Sequence, residues 1–186
     1  MLILIGYRGT GKTTLAEPLA ARLGWTAVDA DVELERRAGR TIKQIFEDGG
    51  EPEFRRIERE TLVELLKQEQ LIIAAGGGAI LNADTRSDFQ AAGPVVWLKA
   101  SADTIEQRLY GDVTTDQRRP NLTSSGGRQE IEQLLAQRES LYRECATIEV
   151  ATDEPLPGDS ETPDIETLVN HVMNRLQLSD ATTEDG

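Results

Sequence analysis

The sequence predicts an α/β fold built on a largely parallel sheet, and three observations carry that prediction. Short apolar runs alternate with longer stretches of helical period along the chain. The first run stops at Gly6 and opens Gly-x-x-x-x-Gly-Lys-Thr, a phosphate-binding loop between a strand and a helix. Two later runs also end in unusual residues, Asp29-Ala30-Asp31 and Gly76-Gly77-Gly78. Right-handed crossovers bring the carboxyl ends of parallel strands to one edge, where ligands bind.

In order, Leu2–Ile5 reads as the first strand. Lys12–Leu23 follows as a helix with Leu15, Leu19 and Leu23 on one face, bent at Pro18 and stopped at Gly24. Thr26–Val28 is a short second strand. Two helical pieces come next, Asp31–Ala38 and a threonine-capped Thr41–Phe46, which ends at Gly49-Gly50. A longer helix starts near Pro52, a residue suited to a first turn, and runs to about Gln68. Leu71–Ala75 is a buried strand, followed by a weaker helical stretch over Ala83–Ala91. Val95–Leu98 is the fourth strand, and a helix covers about Ala102–Tyr110. Gly111–Gly127 has no apolar period and carries Arg118-Arg119-Pro120 at its centre; a loop of that length inside a compact domain is either a functional lid or disordered. The helix Arg128–Arg143 leads to a fifth strand, Thr147–Val150. After an acidic linker at about 153–163 comes a last helix, about Pro163–Leu178, with an apolar stripe from Ile165 to Leu176. The tail Ser179–Gly186 and the acidic part of the linker read as solvated and flexible, leaving one domain over residues 1–178.

Each strand end suggests its own chemistry. Gly6, Gly9 and Gly11 let the loop turn several N–H groups inward, Lys12 adds a cation for the β- and γ-phosphates, and the Thr13 hydroxyl suits Mg²⁺. Asp29 and Asp31 are two apart, so in extended backbone both carboxylates point the same way, a pairing that a cation or hydroxyl donor would relieve; alternatively they cap the next helix. Arg55 and Glu58, three apart on a helix, form either a surface pair or a guanidinium held on one side and open to an anion on the other. The glycine triplet suggests a ligand approaching the main chain, or simply a tight turn.

Composition narrows the classes. The net charge of −13 argues against general nucleic-acid or anionic-membrane binding, so cations for an anionic ligand must be gathered locally. No apolar run approaches a membrane span, and the first one is too short for a signal peptide. Cys145 is the only cysteine, so no internal disulfide is expected; it reads as a packing residue in a reducing compartment, and the single His171 as a boundary residue.

Taken together, Gly6–Thr14, Asp29-x-Asp31, Gly50-Glu51-x-Glu53-Phe54-Arg55-Arg56-x-Glu58, Gly76–Ala79, Arg119-Pro120-x-Leu122 and Arg138-x-x-x-Tyr142 resemble the shikimate kinases, in that family's order and over about Met1–Val150. The resemblance implies a P-loop kinase fold of three α/β/α layers on five parallel strands, closed by a lid. It also implies ATP-dependent phosphorylation of the 3-hydroxyl of shikimate, in aromatic amino-acid biosynthesis. By position, Gly9, Thr10, Gly11, Lys12, Thr13, Thr14, Arg108 and Arg119 would hold ATP, with Arg108 near the adenine. Asp31, Arg55, Gly77, Gly78 and Arg138 would hold shikimate. Lys12, Asp31 and Arg119 would serve the chemistry; Thr13 would ligate Mg²⁺, with Asp29 acting through water. Direct in-line transfer would then rest on positioning and charge. Shikimate and ATP are the expected partners of a cytoplasmic monomer, with no nucleic acid or membrane. The alternatives are another small-molecule kinase of this fold, for gluconate or a nucleotide, and a nucleotide-binding module without acceptor chemistry.

Overall fold

Five short strands pair into one parallel sheet in the order β2-β3-β1-β4-β5, with β1 at Leu2–Ile5, β2 at Thr26–Asp29, β3 at Leu71–Ala74, β4 at Val95–Lys99 and β5 at Ile148–Ala151. The structure, a computed structural model, describes residues 1–111 and 127–179. The expected lid with Arg118 and Arg119, and all of the expected tail after Ser179, lie outside the described residues.

Side chains alternate across each strand, so one run of sequence feeds two cores. Leu2, Leu4, Ile72, Ala74, Val96 and Leu98 face the helices α1 (Lys12–Leu23) and α7 (Ile165–Leu176). Ile3, Ile5, Ile73, Val95 and Trp97 face the other way, against α3 (Ile42–Leu65), α4 (Ala83–Ala92) and α6 (Arg128–Cys145). These are the expected three layers. Burial on both faces is why the central strands read as unbroken apolar runs. The chain leaves β1 towards β2, returns through β3 beside β1, then crosses to β4 on the far side. The strand order therefore reverses at β1, and the crevice at its carboxyl end is the fold's ligand position.

Several elements differ from expectation. α1 runs as one helix through Pro18; the carbonyl that loses its partner there belongs to Thr14, which is exposed to water. α3, by contrast, breaks where expected: Gly50 takes a non-helical backbone (φ 68°, ψ −169°), so Ile42–Leu65 is two helical segments meeting at a kink. A 3-10 turn at Ala79–Leu81 precedes α4. Thr147 lies before β5 rather than in it, where its hydroxyl accepts from the Val95 N–H at 3.0 Å.

The acidic linker is anchored at its start. Asp153 accepts from the Ser101 N–H (2.8 Å) and hydroxyl (2.7 Å), and Leu156 is buried in the first core. Burial pushes the Asp153 carboxyl up, but the Ser101 hydrogen bonds outweigh it and hold the group below the usual range. Cys145 is buried, which pushes its thiol up to about 11, in keeping with packing. His171, on α7 (residues 165–176), is half-buried. Among the described residues no helix is long and apolar enough to cross a membrane.

Candidate active site

The donor side is the loop from Gly6 to Thr13. Gly6, Gly9 and Gly11 take φ of 143°, 78° and 90°, values that L side chains rarely adopt. Gly11 caps α1 without any side-chain hydrogen bond, and no acidic residue occupies the first turn. The positive end of α1 is thus left for an anion. Lys12 Nζ donates to the carbonyls of Gly6 and Tyr7, both at 2.8 Å. Thr10 is turned inward instead: it is buried, and its hydroxyl donates to the Tyr7 carbonyl at 2.8 Å, bracing the loop. Thr13 and Thr14 are exposed in the first turn.

Asp29 joins this cradle to the next helix. Its Oδ1 accepts from the N–H groups of Asp31 (2.9 Å) and Val32 (3.3 Å), capping α2 (Ala30–Ala38), while Oδ2 accepts the Thr13 hydroxyl at 2.7 Å. The expectation of two carboxylates aligned on extended backbone does not hold, because Asp31 already lies in the first turn of α2. Capping and contact with Thr13 are both made by the one carboxylate of Asp29.

The acceptor side is a wall at Gly77 and Gly78. A methyl group built on Gly78 would stand 2.5–2.9 Å from the Arg55 guanidinium, and one on Gly77 would stand 3.3 Å from the Gly6 carbonyl oxygen and 3.4 Å from Arg8 N. The groups that approach this main chain are therefore an arginine and the donor loop, not a ligand alone. Arg55 is held by Glu58 at 2.6 Å and Glu51 at 3.2 Å. Burial pulls its pKa down, but the two carboxylates outweigh burial and hold it above the ordinary value. Arg138, buried on α6, donates to the Gly77 carbonyl at 3.3 Å, and its guanidinium lies 5.9 Å from the centre of the Tyr7 ring. Lys12, Asp31, Arg55, Gly77, Gly78 and Arg138 all belong to the loop or to elements that meet it at the carboxyl edge of the sheet.

Arg108, on α5 (Ala102–Gly111), ties the loop to the end of β5. It donates to the Gly9 carbonyl (3.1 Å), the Thr152 hydroxyl (3.0 Å) and the Thr152 carbonyl (3.1 Å). These bonds use three of its five N–H groups and fix the guanidinium, whose flat face suits stacking. Tyr142 is a residue to which the sequence assigns no role. Its hydroxyl donates to the Gly77 carbonyl at 2.5 Å, and its ring stacks on Trp97 at 5.5 Å. The signal was available, since Arg138 and Tyr142 are four apart and share a helix face. Nothing in the sequence marks Tyr7, the ring beside Arg138.

The model of the shikimate kinase family matches residues 8–177. The shikimate kinase of Rhodopirellula baltica is 42% identical over 151 residues, covering 81% of each chain. That of Thermobifida fusca is 41% identical over 160 residues, covering 86% of this chain and 90% of that one. A shikimate kinase structure from Acinetobacter baumannii in complex with shikimate is 35% identical, with a TM-score of 0.81 over 93% of this chain and 90% of that one.

Proposed function

This chain belongs to the shikimate kinase family, and we propose that it transfers the γ-phosphoryl group of ATP to the 3-hydroxyl of shikimate, releasing ADP and shikimate 3-phosphate. The observation that supports this most is the wall at Gly77–Gly78, where a phosphate loop and two arginines meet. A phosphoryl donor held by the loop and a carboxylic acid held by the arginines would be brought face to face there.

The geometry and the family resemblance support the following roles. The N–H groups of Gly9, Gly11 and the first turn of α1 cradle the phosphates, and Lys12 moves from its loop carbonyls to the β- and γ-phosphates. Arg55 and Arg138 receive the carboxylate of shikimate, a task suited to guanidinium forks. Glu58 keeps Arg55 oriented. Asp31 receives the ring hydroxyls and takes the proton of the attacking one, and Arg119, outside the described residues, would serve the transferring group as the resemblance implies. Mg²⁺ bound with ATP would supply positive charge between the phosphates; the Thr13 hydroxyl and Asp29 are oxygen donors of the kind it takes, Asp29 through water. The demand for ATP supports a place in the cytoplasm, and a monomer is the working unit of this reading.

The decisive assay is ADP formation from ATP and Mg²⁺ with shikimate, gluconate, a nucleoside monophosphate or no acceptor. Turnover is expected with shikimate alone, and faster turnover with either other acceptor would replace this reading. Lys12→Ala should lower kcat by about 100-fold or more, since it removes charge that acts on the group in transfer. Shikimate binding, followed by calorimetry, should survive in that variant; undiminished kcat would remove Lys12 from the mechanism.

A further inference from the structure

Arg8 sits in the donor loop at a position that the phosphate-loop pattern leaves open. Its surroundings are unusual for this chain. Acidic residues outnumber basic ones 33 to 20, and arginines such as Arg37, Arg56, Arg59 and Arg143 each meet a carboxylate. Among the described residues Arg8 meets none. It is half-buried, its Nε is fully buried with no hydrogen-bond partner among the described residues, and its guanidinium lies 5.8 Å from the centre of the Tyr7 ring. Arg138 lies 5.9 Å from the same ring centre, and it too has no carboxylate partner among the described residues.

Two guanidinium groups therefore lie within 5.9 Å of the centre of one aromatic ring, and among the described residues neither has a carboxylate partner. Holding such charges partly out of water is costly unless an anion completes the arrangement. The backbone indicates which substrate that anion belongs to. Arg8 N faces Gly77, so its side chain leaves the donor loop where the loop touches the acceptor wall. Lys12 and Thr13, which serve the phosphates, lie on the α1 side of the same loop. Arg55, by contrast, is already balanced by Glu58 and Glu51.

We propose that Arg8 is an acceptor-binding residue, which joins Arg138 and Arg55 in holding the carboxylate of the substrate. The proposal rests on the acceptor being a carboxylic acid, as shikimate is. Arg8 then makes the phosphate loop itself part of the acceptor pocket. Selectivity for an anionic acceptor is built into the donor site.

The test compares wild type, Arg8→Met and Arg8→Lys with shikimate and with its uncharged carboxamide, by calorimetry and steady-state kinetics. Arg8→Met keeps an unbranched apolar stem and removes the charged guanidinium. It should raise Kd and KM for shikimate about 10- to 100-fold, the range for a charge-assisted hydrogen bond. Arg8→Lys should recover part of the loss. The KM for ATP should move by less than about twofold, and the carboxamide should bind wild type and Arg8→Met alike, because the lost interaction is ionic. Unchanged shikimate affinity overturns the proposal. So does equal weakening of acid and amide, which would mark a merely structural role, or a loss confined to ATP. If Arg8→Met does not fold, Arg8→Gln replaces it, and thermal melting checks each variant. A wild type that does not phosphorylate shikimate fails the functional reading before any variant is made, so the two failures are distinguishable.

Discussion

The guanidinium of Arg55 packs against the main chain of Gly78, and that contact is what requires a glycine there. The backbone of Gly78 is ordinary (φ −106°, ψ −1°), so an alanine could adopt it. Its methyl group would stand within 2.9 Å of three guanidinium atoms. The end of a flexible side chain moves more easily than backbone, so Gly78→Ala should fold normally and displace Arg55. The expected result is a KM for shikimate raised about tenfold, the worth of one charge-assisted hydrogen bond, with little change in Tm or in the KM for ATP. An unchanged KM for shikimate would show that Arg55 is not poised by this contact. The triplet was legible in the sequence as a place of close approach, because glycine after a buried strand is costly without a reason. What approaches was not legible. Arg55 reaches Gly78 only once α3 packs beside β3, and Thr10, read as a phosphate ligand, faces into the loop because its hydroxyl finds the Tyr7 carbonyl first.

The central strands β1, β3 and β4 were the most legible elements, since both their faces are buried and their runs are apolar up to the closing Lys99 of β4. Helix ends were legible where a cap marks them, as Thr41 and Gln44 do at the start of α3. The break in α3 at Gly50 was legible too, because glycine and proline are local stop signals and Gly50 takes a non-helical backbone there (φ 68°, ψ −169°). In α2, Asp29 marks the start, and Glu33 in its first turn ties it to its own last turn. Glu33 bonds Arg36 at 2.7 Å and Arg37 at 2.6 Å. The Arg36 hydrogen bond chiefly, with Arg37 and against the effect of burial, holds its carboxyl down at about 2 instead of the ordinary 4.5. A carboxyl depressed on folding contributes stability that is fully present above the unfolded value and is lost as pH falls through the folded one. Glu33→Gln should therefore be less stable than wild type above pH 4.5, and the two should converge as pH falls towards 2. Urea midpoints across that range measure it; parallel curves would mean that the pairs contribute nothing to α2.

Across the whole molecule, charge is distributed against its own average. The chain carries −13, yet the carboxyl edge of the sheet gathers Arg8, Lys12, Arg55 and Arg138. Composition made that contrast legible, since an acidic protein with anionic substrates must concentrate its cations. Of the four, sequence pattern identified Lys12, Arg55 and Arg138 but not Arg8, which lies at an unconstrained position of its motif. The two fields act over different distances. The net charge repels an approaching anion from afar, whereas the edge cations act mainly at contact. Screening removes the longer-range effect first: the Debye length falls from about 30 Å at 0.01 M salt to about 10 Å at 0.1 M and about 3 Å at 1 M. For shikimate, kcat/KM measured at saturating ATP should rise over the first of these intervals, as repulsion from the acidic body is screened. It should fall over the second, as the salt begins to weaken the arginine contacts themselves. A steady fall from the lowest salt would mean instead that the edge cations already steer substrate from a distance and dominate the acidic body.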